Sequence, residues 1–152
     1  SHHLSLTRLY LMSNRIGADC ALSLASSVLH NDESTLKRLD LAHNGIGDEG
    51  CATLLSPGGS GASKSLKVLL LGFNSISSEG VKDAGDLLRL LRIEHLDLSC
   101  NTLKREGFKC IVENWKFDQG NLAKLKSLNF ACNDIAGWRP VRAPLPSPAS
   151  QI

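Results

Sequence analysis

The chain has 152 residues, the length of a single domain, and 42% of them are hydrophobic, a proportion that fits a folded soluble protein. Seventeen Lys and Arg against fifteen Asp and Glu leave a formal charge of +2, too little for a dedicated nucleic-acid surface or for an anionic membrane as partner. No apolar run approaches the ~20 residues of a membrane helix; the longest clear stretch is Val68-Leu69-Leu70-Leu71, and no secretory signal is visible.

In chain order, one pattern recurs five times: an apolar residue, two others, Leu, one other, an apolar residue, two others, Asn, one other and an apolar residue. The first copy is Leu6, Leu9, Leu11, Asn14 and Ile16. Its short strand turns Leu9 and Leu11 inward and Arg8, Tyr10 and Met12 outward. Ala21, Leu24, Ala25 and Val28 follow at helical spacing and predict an amphipathic helix. The second copy is Leu36, Leu39, Leu41, Asn44 and Ile46, with the stripe Cys51, Leu54, Leu55 and Gly58. Ser56-Pro57-Gly58-Gly59-Ser60-Gly61-Ala62-Ser63 cannot continue a helix, so a flexible stretch replaces the second half of this one.

The third copy is Leu66, Leu69, Leu71, Asn74 and Ile76, with Val81, Ala84, Gly85 and Leu88 as its helical stripe. The fourth is Ile93, Leu96, Leu98, Asn101 and Leu103, with Phe108, Ile111, Val112 and Trp115. The fifth is Leu125, Leu128, Phe130, Asn133 and Ile135, and no helix follows it. Residues 1–138 therefore read as one repeat domain, with copies starting near 6, 36, 66, 93 and 125. Trp138 is expected to pack over the last turn, and the proline-rich residues 139–152 form an extended tail.

The asparagines at 14, 44, 74, 101 and 133 are 30, 30, 27 and 32 residues apart, room for a helix after each strand. The expected fold is an α/β solenoid of about five repeats, curved, with a parallel inner sheet and outer helices. Asn14, Asn44, Asn74, Asn101 and Asn133 are expected to form a structural ladder, bonding backbone of their own and adjoining turns and doing no chemistry. Small residues six places after the asparagine (Cys20, Gly50, Gly80, Gly107) are expected to let each helix approach its strand. Asp48, Ser77 and Ser78 are placed to satisfy free N–H groups at helix starts.

The pattern resembles the ribonuclease-inhibitor-like class of leucine-rich repeats, most fully in the segment Leu36-Lys37-Arg38-Leu39-Asp40-Leu41-Ala42-His43-Asn44-Gly45-Ile46-Gly47-Asp48-Glu49-Gly50. The resemblance covers roughly residues 4–138. It implies a curved surface that holds another protein, a use shared by nuclease inhibitors, innate immune sensor arms, actin regulators, axonemal subunits and activators of the Ran GTPase. The expected function is a non-enzymatic protein-interaction module or scaffold, with no cofactor and no metal. One alternative is a structural segment of a cytoskeletal, axonemal or immune-receptor assembly. Another is a GTPase-activating protein of the Ran type, although no acidic tail follows Asp134. Five repeats are few for this class and no polar cap precedes Leu6. Residue 1 is Ser, which with His2 and His3 reads either as a tag remnant or as natural sequence, and the sole methionine is Met12. A segment of a longer chain, or an end covered by a partner, is therefore expected.

Outward strand positions give the candidate partner surface: Arg8, Tyr10, Met12, Arg38, Asp40, Val68, Leu70, His95 and Asp97, with Phe73 just beyond. Val68, Leu70 and Phe73 are apolar where neighbouring repeats show charge, as contact sites often are, and Arg and aromatic residues carry most interface energy. The alternative is Phe73 tucked into the strand-to-helix corner and Leu70 an isolated surface leucine. His95, Asp97 and Ser99 share a face but stand ~7 Å apart in succession along a strand, too far for a relay. Cys100 and Cys132 hold equivalent positions in adjacent repeats, where a disulfide, a shared soft metal ion or two reduced rim thiols are all geometrically open. Five cysteines, an odd number, point to a cytoplasmic, reducing location.

Overall fold

The computed structural model describes residues 6–29, 34–55, 65–82, 93–117 and 125–136. The expectations for Ser56–Ser63, for Ala84, Gly85 and Leu88, for Trp138 and for residues 139–152 lie outside them, as do those for the side chains of Val28 and Trp115.

Each coil opens with a three-residue strand whose central leucine faces inward. The strands are β1 (Arg8–Tyr10), β2 (Arg38–Asp40), β3 (Val68–Leu70), β4 (His95–Asp97) and β5 (Ser127–Asn129). They pair in parallel, in sequence order, as one open sheet, and equivalent positions stand opposite one another, as in Arg38↔Val68 and Asp40↔Leu70. Leu39, Leu69 and Leu96 are buried, while Leu9 and Leu128, in the two edge coils, are partly buried.

The outer layer follows the helical stripes. Helix α1 (Gly17–Leu24) buries Ala21 and continues into a π-helical turn, Ala25–Leu29. Helix α2 (Gly47–Leu55) buries Cys51, Leu54 and Leu55. Helix α3 (Lys104–Phe117) buries Ile111 and sets Phe108 edge-on to Phe130, ring centroids 5.3 Å apart. The first N–H of each helix finds the backbone carbonyl of the next coil's asparagine: Gly17 to Asn44 at 3.0 Å, Gly47 to Asn74 at 2.9 Å and Lys104 to Asn133 at 2.9 Å. Orphan donors at the helix starts are thus satisfied between coils.

The third coil departs from the expected helix over its described part. Residues 78–82 form turns; Val81 is buried, and Ser77 makes an isolated parallel bridge to Thr102. Ser77 is held from the other side by Asp48, whose Oδ1 accepts its N–H at 2.6 Å and whose Oδ2 accepts its hydroxyl at 2.7 Å. Asp48 therefore anchors the following coil from within the first turn of α2.

The glycines six places after the asparagine act differently from the expectation. A Cβ on Gly50 would lie 3.1 Å from Ala18 Cα, one on Gly80 2.8 Å from Asp48 Cα, and one on Gly107 3.2 Å from Ser78 Cα. The close approach is both to the motif residue of the glycine's own coil, as with Ile46 Cγ2 at 2.5 Å from a Cβ on Gly50, and to the backbone of the preceding coil, four places after its asparagine. A side chain here would wedge consecutive outer-layer segments apart.

Candidate functional site

The asparagine side chains link the coils in one direction. Asn44 Oδ1 accepts N–H bonds from Asn14 (2.9 Å) and Ile16 (3.3 Å); Asn74 Oδ1 does so from Asn44 (2.9 Å) and Ile46 (3.3 Å), and Asn101 Oδ1 from Asn74 (2.9 Å) and Ile76 (3.0 Å). Asn133 Oδ1 accepts from Leu103 at 3.2 Å. The Nδ2 groups donate backwards as well, from Asn44 to Leu11 O, Asn74 to Leu41 O, Asn101 to Leu71 O and Asn133 to Leu98 O. These four asparagines are buried; Asn14, in the edge coil, is exposed, and its Nδ2 donates to Leu11 O and Met12 O of its own coil.

This scaffold lays the outward strand residues in rows. The first row is Arg8, Arg38, Val68, His95 and Ser127; the second is Tyr10, Asp40, Leu70, Asp97 and Asn129. Val68 and Leu70 are half-buried, flanked by Arg38 and Asp40 on one strand and by His95 and Asp97 on the other. A shallow groove of ≈ 400 Å³ runs over them from Arg38 to Ser127 and Asn129. The Arg38 guanidinium stands 5.6 Å from the centroid of the exposed Tyr10 ring, within cation–π range. Its Nε is buried without a hydrogen-bond partner. Among the described residues neither Arg8 nor Arg38 has a carboxylate within ion-pair distance. Two adjacent cations thus occupy the first row of the sheet's outward positions.

The acidic members of the second row also have backbone work. Asp40 Oδ1 accepts the Ala42 N–H at 3.2 Å, Asp97 Oδ1 accepts Ser99 N–H at 2.8 Å, and Asn129 Oδ1 accepts Ala131 N–H at 3.1 Å. Each closes the turn out of its strand by the familiar Asx geometry. The signal was present in the sequence as Asp or Asn at one position of three coils. For Asp97 the bond holds one carboxylate oxygen on a backbone amide.

Beyond the strands the chain turns through the left-handed region at the residue before every asparagine: Ser13, His43, Phe73, Cys100 and Cys132, with φ between 52° and 63°. Phe73 therefore sits at the corner, yet it is 49% exposed and stacks on His43 with ring centroids 4.0 Å apart and planes at 13°. Tyr10 and Met12 add exposed apolar surface at 58% and 57%. A separate apolar hollow of ≈ 340 Å³, lined by Leu11, Ile16 and Leu24, opens on the flank of the first coil and had no counterpart in the sequence reading. On the rim, Glu94 joins Lys126 at 2.6 Å and Lys67 at 3.8 Å, tying three coils together. The Lys126 hydrogen bond, with both lysine charges and that of His95, holds the Glu94 carboxyl below its ordinary range.

A family profile described as Leucine Rich repeat matches residues 2–25, 33–55, 62–83, 93–112 and 121–137, more than half of the chain. The comparison with curated proteins returns no match.

Proposed function

We propose that this chain, which belongs to the leucine-rich repeat family, is a non-enzymatic scaffold that holds one protein partner across the open face of coils one to four. Protein–protein interaction is the general role of such repeats; the particular surface is our reading. The contact set is Arg8, Tyr10, Met12, Arg38, Asp40, Val68, Leu70, Phe73, His95 and Asp97. The observation that carries it is the apolar pair Val68 and Leu70 beside Arg38, with Arg8 one strand further, neither arginine having a carboxylate within ion-pair distance among the described residues. An apolar centre with a charged rim is the anatomy of a contact site. A buried Arg38 Nε without a bond gains most from a partner's carboxylate. The partner segment is accordingly one that offers an apolar side chain flanked by Asp or Glu. The odd number of cysteines supports a reducing, intracellular place of work.

The test is quantitative binding of the chain's captured partner by three variants. Leu70→Glu combined with Phe73→Ser should lower affinity at least tenfold, Arg8→Glu with Arg38→Glu likewise, and Glu49→Lys on α2 should leave it unchanged. Equal affinity for all three, with melting curves that match the parent chain, would refute this surface.

A further inference from the structure

The corner positions bring two thiols together outside the contact set. β4 and β5 run in register through Asp97↔Asn129, and the Cys100 N–H donates to the Ala131 carbonyl at 2.7 Å, so the two backbones remain in step up to Cys100 and Cys132. Both residues take the left-handed conformation, φ 52° and 56°, which sends their side chains off the corner in the same direction. Adjacent strands lie ~4.8 Å apart, inside the ~4.4–6.8 Å that disulfide-linked Cα atoms span. The Cys132 thiol lies close enough to the Cys100 thiol to raise its pKa. Cys132 is exposed and Cys100 half-buried, so an oxidant in solution reaches the pair. Cys51, by contrast, is buried in the core.

We propose that Cys100 and Cys132 form a reversible thiol–disulfide site that takes a low-molecular-weight disulfide as oxidant and staples the fourth coil to the fifth. Glutathione disulfide serves as the example. The exposed Cys132 loses its proton to solvent and its thiolate attacks one glutathione sulfur. The S–S bond of glutathione disulfide breaks, a Cys132–glutathione mixed disulfide forms, and one glutathione thiolate leaves. Cys100 then loses its proton and attacks Cys132 Sγ, forming the Cys100–Cys132 bond and releasing the second glutathione. Two protein thiols are oxidised by two electrons, and one glutathione disulfide is reduced to two glutathione molecules. Partial desolvation, with the neighbouring Cys132 thiol and the Asp97 carboxylate, holds the Cys100 thiol above its ordinary range. That suits Cys100 to the second, intramolecular step, where proximity offsets its lower thiolate content.

The consequence falls on an edge strand. Among the described strands β5 is paired on one side only, through bonds such as Leu98 N–H to Asn129 O and Ser127 N–H to Glu94 O. A covalent link at the corner confines its fraying.

The full chain, incubated with glutathione disulfide and digested with trypsin without reductant, tests this. The expected product joins peptide 93–104 to peptide 127–142 with loss of two hydrogens, and dithiothreitol reverses it. It should be absent from Cys132→Ala and from Cys100→Ser, and present in Cys20→Ser. Oxidation should also slow hydrogen exchange at the Ser127 and Leu98 amides at least tenfold. Two separately glutathionylated cysteines, or linkage of either cysteine to a third, would overturn the site. A linked chain whose Ser127 amide exchanges as fast as in the reduced form would overturn the staple. Cys132→Ala alters an exposed position, so its failure to link reports chemistry and not misfolding, and its melting curve checks that directly.

Discussion

Replacing Asn74 by Ala isolates the value of one rung between coils. The side chain is fully buried, accepts N–H bonds from Asn44 at 2.9 Å and Ile46 at 3.3 Å, and donates to Leu41 O and Gly72 O. Those two carbonyls keep other donors, Asn44 Nδ2 for Leu41 and the His43 N–H for Gly72. The two N–H groups have one hydrogen each and no second acceptor nearby, so they bear the loss. An unsatisfied buried group costs about 1–3 kcal/mol, which sets the penalty near 4 kcal/mol, a large share of the ~5–15 kcal/mol that holds a typical domain. With an m-value of ~2 kcal/mol per molar in urea, the midpoint should fall by ~2 M. Asn14→Ala, at an exposed position on whose oxygen no described N–H depends, should cost under ~1 kcal/mol. Urea unfolding followed by circular dichroism measures both. Hydrogen exchange should show the damage concentrated in coils one and two, which the lost rung cuts from the rest, with the Leu11 and Leu41 amides exposed before Leu98. Asn74→Ala and Asn14→Ala within ~0.5 kcal/mol of each other would refute the reasoning.

Gly80→Ala should destabilise by about 1–3 kcal/mol, because its Cβ would lie 2.6 Å from Asp48 Oδ1 and 2.8 Å from Asp48 Cα and would disturb the Ser77 anchor. Gly72→Ala, whose nearest neighbour is Ser99 Oγ at 3.1 Å, should cost less in the same thermal melt, and the reverse order would be a contradiction. Burial, with the Asp48 charge second, pushes the Cys51 thiol from 9.0 up to about 12. A folded pKa raised above the unfolded one gives stability that is complete below the unfolded value and lost as pH rises toward the folded one. The parent chain should therefore lose more stability than Cys51→Ala between pH 9 and 12 in a pH series of urea melts. Glu94→Gln should lower stability only slightly, because exposed ion pairs are screened by water, with the difference vanishing in high salt; a salt-independent loss would point away from the Lys67 and Lys126 pairs.

The repeated motif made the strands, their register and the inward leucines legible, since a residue that recurs in step must meet the same neighbour in every coil. Leu39, Leu69 and Leu96 are buried where the pattern put them. Contacts that cross between coils at unlike positions were not legible. The sequence placed Gly80 beside its own strand, whereas its space is taken by the Asp48 backbone of the coil before. Asp48 read as a cap for its own helix, yet its carboxylate holds Ser77 one coil later. Asp40 and Asp97 read as surface charges and also serve as turn acceptors. For Gly80 and Asp48 the partner lay in another coil at a position no intra-coil spacing reveals; for Asp40 and Asp97 it lay two residues on in the same coil.

The left-handed corners bear on how such a chain can change. Glycine would meet the backbone demand there at no steric cost, yet all five corners carry side chains: Ser13, His43, Phe73, Cys100 and Cys132. Nothing in the turn selects among a hydroxyl, an imidazole, a benzyl ring and a thiol, so substitution there leaves the frame untouched. Because the corners stand side by side, however, no replacement acts alone. His43 and Phe73 stack, and the Cys132 thiol raises the pKa of Cys100, through adjacency that the backbone supplies. The unit on which variation works along this edge is the neighbouring pair, and new pair chemistry can arise there from a single exchange.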